Sequence, residues 1–188
     1  MTRSPSQVTL TDFDFRALLT HRILVLSNTL GKGAARTYAE RYGISLAEWR
    51  LLAALMFSGP GSVNGLAREL AVDKGWVSRS ARGLAKKRLI ATVVDPGDAR
   101  RVLLQPTSSG RALYKKILPA AIDRQNRLVS ALDESERRTL DELLARLQRQ
   151  AEVLINGSIG SRCDPILQKQ SDRVGSRRKG KMVAVSAE

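Results

Sequence analysis

Leu66-Ala67-Arg68-Glu69-Leu70-Ala71-Val72-Asp73-Lys74-Gly75-Trp76-Val77-Ser78-Arg79-Ser80-Ala81-Arg82-Gly83-Leu84-Ala85-Lys86-Lys87 is the stretch that decides the architecture. Val77, Ala81 and Leu84 recur at spacings of four and three, the period of one inward helix face. That phase turns Lys74, Gly75, Ser78, Arg79, Arg82 and Lys86 outward. Asp73 stands immediately before the run, where its oxygen caps the first free amides and its charge suits the positive helix end. Upstream, Ser62 caps a shorter helix with Val63, Leu66, Ala67 and Leu70 on one side. Ala71-Val72-Asp73 joins the two helices in a tight turn.

Periodicity of 3.6 stops at Leu89. Ile90-Ala91-Thr92-Val93-Val94 is β-branched and reads as a strand, Asp95-Pro96-Gly97-Asp98-Ala99 as a turn, and Arg101-Val102-Leu103-Leu104-Gln105 as the returning strand. The result is a β-hairpin with a basic tip. On the other side, Ser58-Gly59-Pro60-Gly61 is a strong breaker that closes a helix opened by Ser45 and Glu48 at capping-box spacing. Ile44 and Trp49 flank that box as a hydrophobic staple. A long helix from about Asp12 to Arg41 precedes it, interrupted at Gly31 and Gly33 and ended by Tyr42-Gly43.

Beyond the hairpin, Thr107 caps a helix from Ser108 to Leu132, kinked near Pro119. Asp133 opens another, in which Leu140, Leu147 and Leu154 fall seven apart with Leu143, Leu144 and Ala151 between, a stripe that packs helix on helix. The fold expected is mainly α with a small β-hairpin wing. It divides into a flexible N-terminus (1–10), a long N-terminal helix (11–43), a winged helix-turn-helix lobe (44–107), C-terminal helices (108–155) and a basic, disordered tail (156–188) rich in Gly, Ser, Lys and Arg.

Charge is concentrated where this geometry uses it. The chain of 188 residues carries a net charge of +14, and Ser62 to Arg111 holds ten Lys or Arg against four Asp or Glu. Such a surplus predicts a polyanionic partner. Leu and Ala dominate the apolar mass while aromatics are 4%, which favours helices. Cys163 and His21 are single, so a multi-cysteine zinc cage, a multi-histidine metal site and an intrachain disulfide are excluded on arithmetic, and neither a cofactor nor catalysis is expected. No glycine-rich phosphate loop or triad set appears. The N-terminus lacks a signal-peptide core, and Leu51 to Phe57 is too short to span a bilayer, so a cytoplasmic protein is expected.

A helix presented after a tight turn enters the major groove with its N-terminal residues on base edges. Arg79 and Arg82 are the candidates for bidentate contacts to guanine. Lys74 and Ser78 lie a turn earlier, facing bases or phosphate, and Lys86 further along faces phosphate. Trp76 either packs on the scaffold or covers a thymine methyl or sugar. At the hairpin, Arg100 and Arg101 are candidates, Arg100 for a neighbouring minor groove. The competing reading is a nonspecific, nucleoid-type protein held by phosphate contacts alone.

The strings Leu66-Ala67-Arg68-Glu69-Leu70, Asp73-Lys74-Gly75-Trp76-Val77-Ser78-Arg79 and Leu84-Ala85-Lys86-Lys87-Arg88-Leu89-Ile90 resemble the helix-turn-helix of the MarR family of regulators. Asp98-Ala99-Arg100-Arg101-Val102 is similar to that family's Asp-x-Arg wing signature, and Thr107-Ser108-Ser109-Gly110 to its Thr-x-x-Gly helix opening. Pro106, where the family has leucine, and the bulky Trp76 depart from it. The resemblance implies a homodimer whose first and last helices interlock, which makes 11–43 the N-terminal dimerisation helix and 108–155 the C-terminal dimerisation helices. It implies that Asp98 braces the wing by pairing with an arginine of the same lobe while Arg100 enters the minor groove. It also implies a repressor of a pseudo-palindromic double-stranded DNA operator. Control would come from a small effector, an aromatic carboxylate or an acyl- or aryl-CoA thioester, seated between the dimer helices and the DNA lobe.

Overall fold

The computed structural model describes residues 14–158. The segment 1–10, the tail from residue 159 onward and Cys163 lie outside these residues. Two compact units divide at Gln125/Asn126. That division falls inside a helix.

In the first unit Asp14 caps a 3-10 turn at Phe15–Ala17, and extended backbone at Leu18 then sets off α1 (Leu19–Tyr42). The apolar spacing runs through Leu18, so pattern alone merges the two. Gly31 and Gly33 do not interrupt α1. It ends at Gly43, whose φ of 66° is the left-handed conformation that glycine adopts without a Cβ penalty. α2 (Leu46–Ser58) opens with the capping box: Glu48 N donates to Ser45 Oγ (3.1 Å) and Ser45 N donates to Glu48 Oε2 (2.7 Å).

α3 (Val63–Glu69) begins at Ser62 and α4 (Lys74–Lys86) at Asp73, each cap accepting from the amide three residues on. β1 (Ile90–Asp95) pairs antiparallel with β2 (Asp98–Pro106), turning through Pro96 and Gly97, with a register irregularity between Val94 and Asp95. β2 therefore starts three residues before the strand read from sequence, and Pro106 closes it opposite Ile90. Gly61 adds a bridge at the root of the hairpin, donating to the Leu104 carbonyl (3.0 Å) and accepting from its amide (2.9 Å). α5 (Ser108–Val129) runs through Pro119.

The core of this unit gathers Tyr38, Leu51, Leu52, Leu55, Leu66, Val77, Leu84 and Ile117, all but inaccessible to water. Val77, Ala81 and Leu84 are buried, as the spacing requires, so the phase of α4 is fixed. Trp49 stacks between Tyr38 and Tyr114, ring centroids 5.4 and 5.5 Å away. Burial pushes the Tyr38 phenol up, with the Arg124 guanidinium over its ring (5.2 Å) opposing, so it stays neutral. On α1, Leu19, Ile23, Leu26 and Leu30 remain exposed.

The second unit holds the end of α5 and α6 (Glu134–Ser158). Asp133 and Glu136 form a reciprocal capping box (2.9 and 2.8 Å), and Arg137 Nε donates to the carbonyls of Val129 and Leu132. Leu140, Leu143, Leu144, Leu147 and Leu154, the expected stripe, are 41–62% exposed. No helix among the described residues is long and apolar enough to cross a membrane.

Candidate nucleic-acid interface

The outward face of α4 carries the cations expected of it. Lys74, Arg79, Arg82 and Lys86 are exposed, and Gly75 and Ser78 half-buried beside them. Among the described residues no carboxylate lies within 4 Å of Lys74, Arg82, Lys86 or Arg100. Arg79 leans back toward Asp73 at 3.9 Å, both side chains mostly in water, so the pair holds Arg79 only weakly. Gly75 leaves the corridor for that contact, since a Cβ there would meet Asp73 Oδ1 at 2.9 Å and an Arg79 nitrogen at 3.0 Å.

Asp73 matters more as a cap. Its Oδ1 accepts from Trp76 N at 2.7 Å, satisfying one of the free amides at the N-terminal end of α4. Asp73→Ala is expected to lower stability by about 1 kcal/mol. Urea unfolding checks this; an unchanged midpoint would mean another group satisfies the amide.

Trp76 does not join the exposed set. It is half-buried, packs against the core, and has the Arg50 guanidinium 5.4 Å from its ring centroid. Of the two readings open from sequence, the scaffold side is where its ring lies.

In the wing the brace differs from the one the resemblance implies. Asp98 Oδ1 accepts from the backbone amide of Arg100 (3.0 Å) and forms no ion pair with an arginine side chain. The carboxylate that pairs is Asp95, whose Oδ2 lies 3.6 Å from Arg101 and whose Oδ1 accepts from Gly97 N (2.9 Å). Asp95 lies at the register irregularity that follows Val94. Arg101 thus pairs with Asp95 while its side chain stays 57% exposed, and Arg100 is the exposed cation at the tip with no carboxylate within 4 Å among the described residues.

Asn64 and Arg68, which the sequence did not offer as contacts, join Arg101 on this surface. An open cleft of about 470 Å³ between the start of α3 and the wing is lined by Ser62, Val63, Asn64, Arg68, Arg101 and Val102. Behind α4, the buried Glu48 carboxylate receives Lys87 Nζ at 2.8 and 2.6 Å and lies directly against Gly83, where a Cβ would collide with Oε1. Glu48 was legible only as a cap, because its second partner is 39 residues away.

Known proteins share this arrangement. Residues 42–101 match the family model described as MarR family. The chain is 31% identical over 96 residues to the HTH-type transcriptional repressor NicR of Pseudomonas putida, covering 51% of this chain and 61% of that relative. It therefore spans less than two thirds of NicR. A transcriptional regulatory protein assigned to the hcr operon of Thauera aromatica is 31% identical over 117 residues, 62% of this chain and 70% of that protein. A MarR/EmrR family transcriptional regulator from Acinetobacter sp. ADP1 superposes with a TM-score of 0.68 at 29% identity, covering 71% of this chain and 94% of that one.

Proposed function

The chain belongs to the MarR family of DNA-binding winged helix-turn-helix transcriptional regulators, and from that membership we propose that it is a homodimeric repressor of a pseudo-palindromic operator. The observation that carries the reading is the row of exposed cations on the outer face of α4, of which only Arg79 has a carboxylate within 4 Å among the described residues, continued by Arg100 on the wing. Arg79 and Arg82 read guanine edges, Lys74, Ser78 and Lys86 hold the flanking backbone, and Arg100 enters the minor groove. Arg68 and the cleft beside it receive a phosphate run between α3 and the wing. Catalysis plays no part, and the protein acts in the cytoplasm, where its operator is.

Two apolar stripes support the dimer. Leu19, Ile23, Leu26 and Leu30 on α1, and Leu140, Leu143, Leu144 and Leu147 on α6, are too large and too regular to be left in water. A second copy covers them. The name of the Pseudomonas putida relative supports repression as the sense of control. Release by a small aromatic carboxylate or aryl-CoA thioester follows from the family, and a thermal-shift screen of both classes tests it, since a ligand of the folded state raises its midpoint.

Footprinting on DNA flanking the chain's own gene, against a random duplex, tests the core of the proposal. A protected palindrome with half-sites about ten base pairs apart is the expected result. Equal affinity for both DNAs would replace the operator reading with nonspecific phosphate binding. Arg79→Ala is expected to relax base preference at one position of each half-site by about 1–3 kcal/mol. Arg100→Ala should instead weaken binding at A·T-rich flanks. Wild-type discrimination in both variants would remove these two residues from the reading surface.

A further inference from the structure

Trp76 occupies a position on α4 whose use the operator contacts above leave unexplained. At about 100° per residue it lies about 60° around the helix from Arg79 and about 90° from the midline of Arg79 and Arg82. Gly83 and Lys87 fall on the same side, and α2 covers that side: Glu48 seats against Gly83 and Lys87, and Arg50 lies over Trp76. A helix about 10–12 Å across fills a major groove about 12 Å wide. Its outermost residues then meet base edges, and its flanks meet the two sugar–phosphate walls. Whatever sits on the Trp76 flank near the first turn of α4 faces phosphate.

Arg50 is what sits there. It is exposed, and among the described residues no carboxylate lies within ion-pair distance of it. That separates it from Lys87 on the same side of α4, whose charge Glu48 meets at 2.6 Å. Stacking on an indole uses the face of a guanidinium and leaves its in-plane N–H donors open for an anion. A side chain already held against a ring also has less freedom to lose on binding. Both properties suit a phosphate clamp.

We propose that Arg50, positioned by Trp76, is a backbone-phosphate contact of the DNA-reading surface, contributed by a helix outside the helix-turn-helix. This rests on the operator reading and adds a residue to it. Trp76 is then a platform and not a base reader.

The test is fluorescence anisotropy on two labelled duplexes, the DNA flanking the chain's own gene and a random sequence, across about 50 to 200 mM salt. Arg50→Gln is expected to make the log–log salt slope shallower by about 0.9 for each Arg50 engaged, roughly a fivefold affinity loss per contact near 0.15 M salt. The loss should be alike on both duplexes, leaving base preference intact. Trp76→Leu keeps every charge and should still lose affinity on both, because the guanidinium is no longer held. Arg36→Gln, which removes an arginine already paired with Glu40 on α1, controls for net charge and should leave the slope unchanged. An Arg50→Gln slope equal to wild type overturns the proposal, even if its thermal midpoint falls, since a purely structural stack would move stability alone. Equal Arg50 and Arg36 effects overturn it too, and so does Trp76→Leu binding like the parent. The operator reading fails on a separate result, a wild-type protein that does not distinguish the two duplexes.

Discussion

Gly110→Ala is expected to lower the thermal midpoint by roughly 6–16 °C, corresponding to about 3–4 kcal/mol in a domain of this size. A Cβ at Gly110 would collide with the carbonyl oxygen of Leu89 and lie 3.0 Å from its carbonyl carbon. Neither side can step back. The Leu89 carbonyl accepts from Thr107 N (3.0 Å), while Thr107 Oγ1 donates to the Arg88 carbonyl (2.8 Å) and accepts from Gly110 N (3.1 Å). Thr-x-x-Gly is therefore a rivet: the threonine caps α5 and fastens it to the link between α4 and β1, and the glycine lets the two backbones touch. The matched control is Gly33→Ala on α1, where nothing lies within 4 Å and the change should stabilise by about 0.5–1 kcal/mol. Calorimetry on both variants decides the matter. A Gly110→Ala midpoint near wild type would show that the junction yields, and the rivet would be no more than a helix start.

Lys87→Met is expected to cost about 3 kcal/mol, near the lower end for breaking a buried ion pair because the lysine itself is 39% exposed. The cost falls on Glu48, whose side chain is 8% exposed and loses the one cation paired with it among the described residues. Ser45 N would still donate to the carboxylate, which is too little for a buried charge. Glu48→Gln combined with Lys87→Met should cost clearly less than the sum of the single changes, by at least about 1 kcal/mol. Strict additivity in urea unfolding would mean that the two groups do not depend on each other.

These sites also mark where sequence reading stops. The phase of α4 was legible because three buried apolar residues determine it, and the caps at Ser45, Ser62, Asp73 and Asp133 were legible because each acts within three residues. Trp76 sits at the edge of the inward face, where periodicity does not decide between core and surface and only Arg50 of α2 shows how the ring is used. The wing offered two aspartates and two arginines within seven residues, and which carboxylate takes which arginine depends on the three-dimensional path of the hairpin. Local patterns carry no record of that. Nor do they record the exposed break at Leu18, since the apolar spacing continues across it.

The bridge between Gly61 and Leu104 makes the hairpin unequal at its two ends. Near Leu104 the ribbon is fixed on both edges and its alternation is tied to the core, so removing one residue there would turn Leu104 and Pro106 outward together. Past Val94 and Val102 nothing buried depends on register, and each added pair of residues would extend the arm by about 3.3 Å without disturbing what lies beneath. Relatives of this chain can therefore vary the length of the wing at its tip, while the anchored end keeps one fixed spacing.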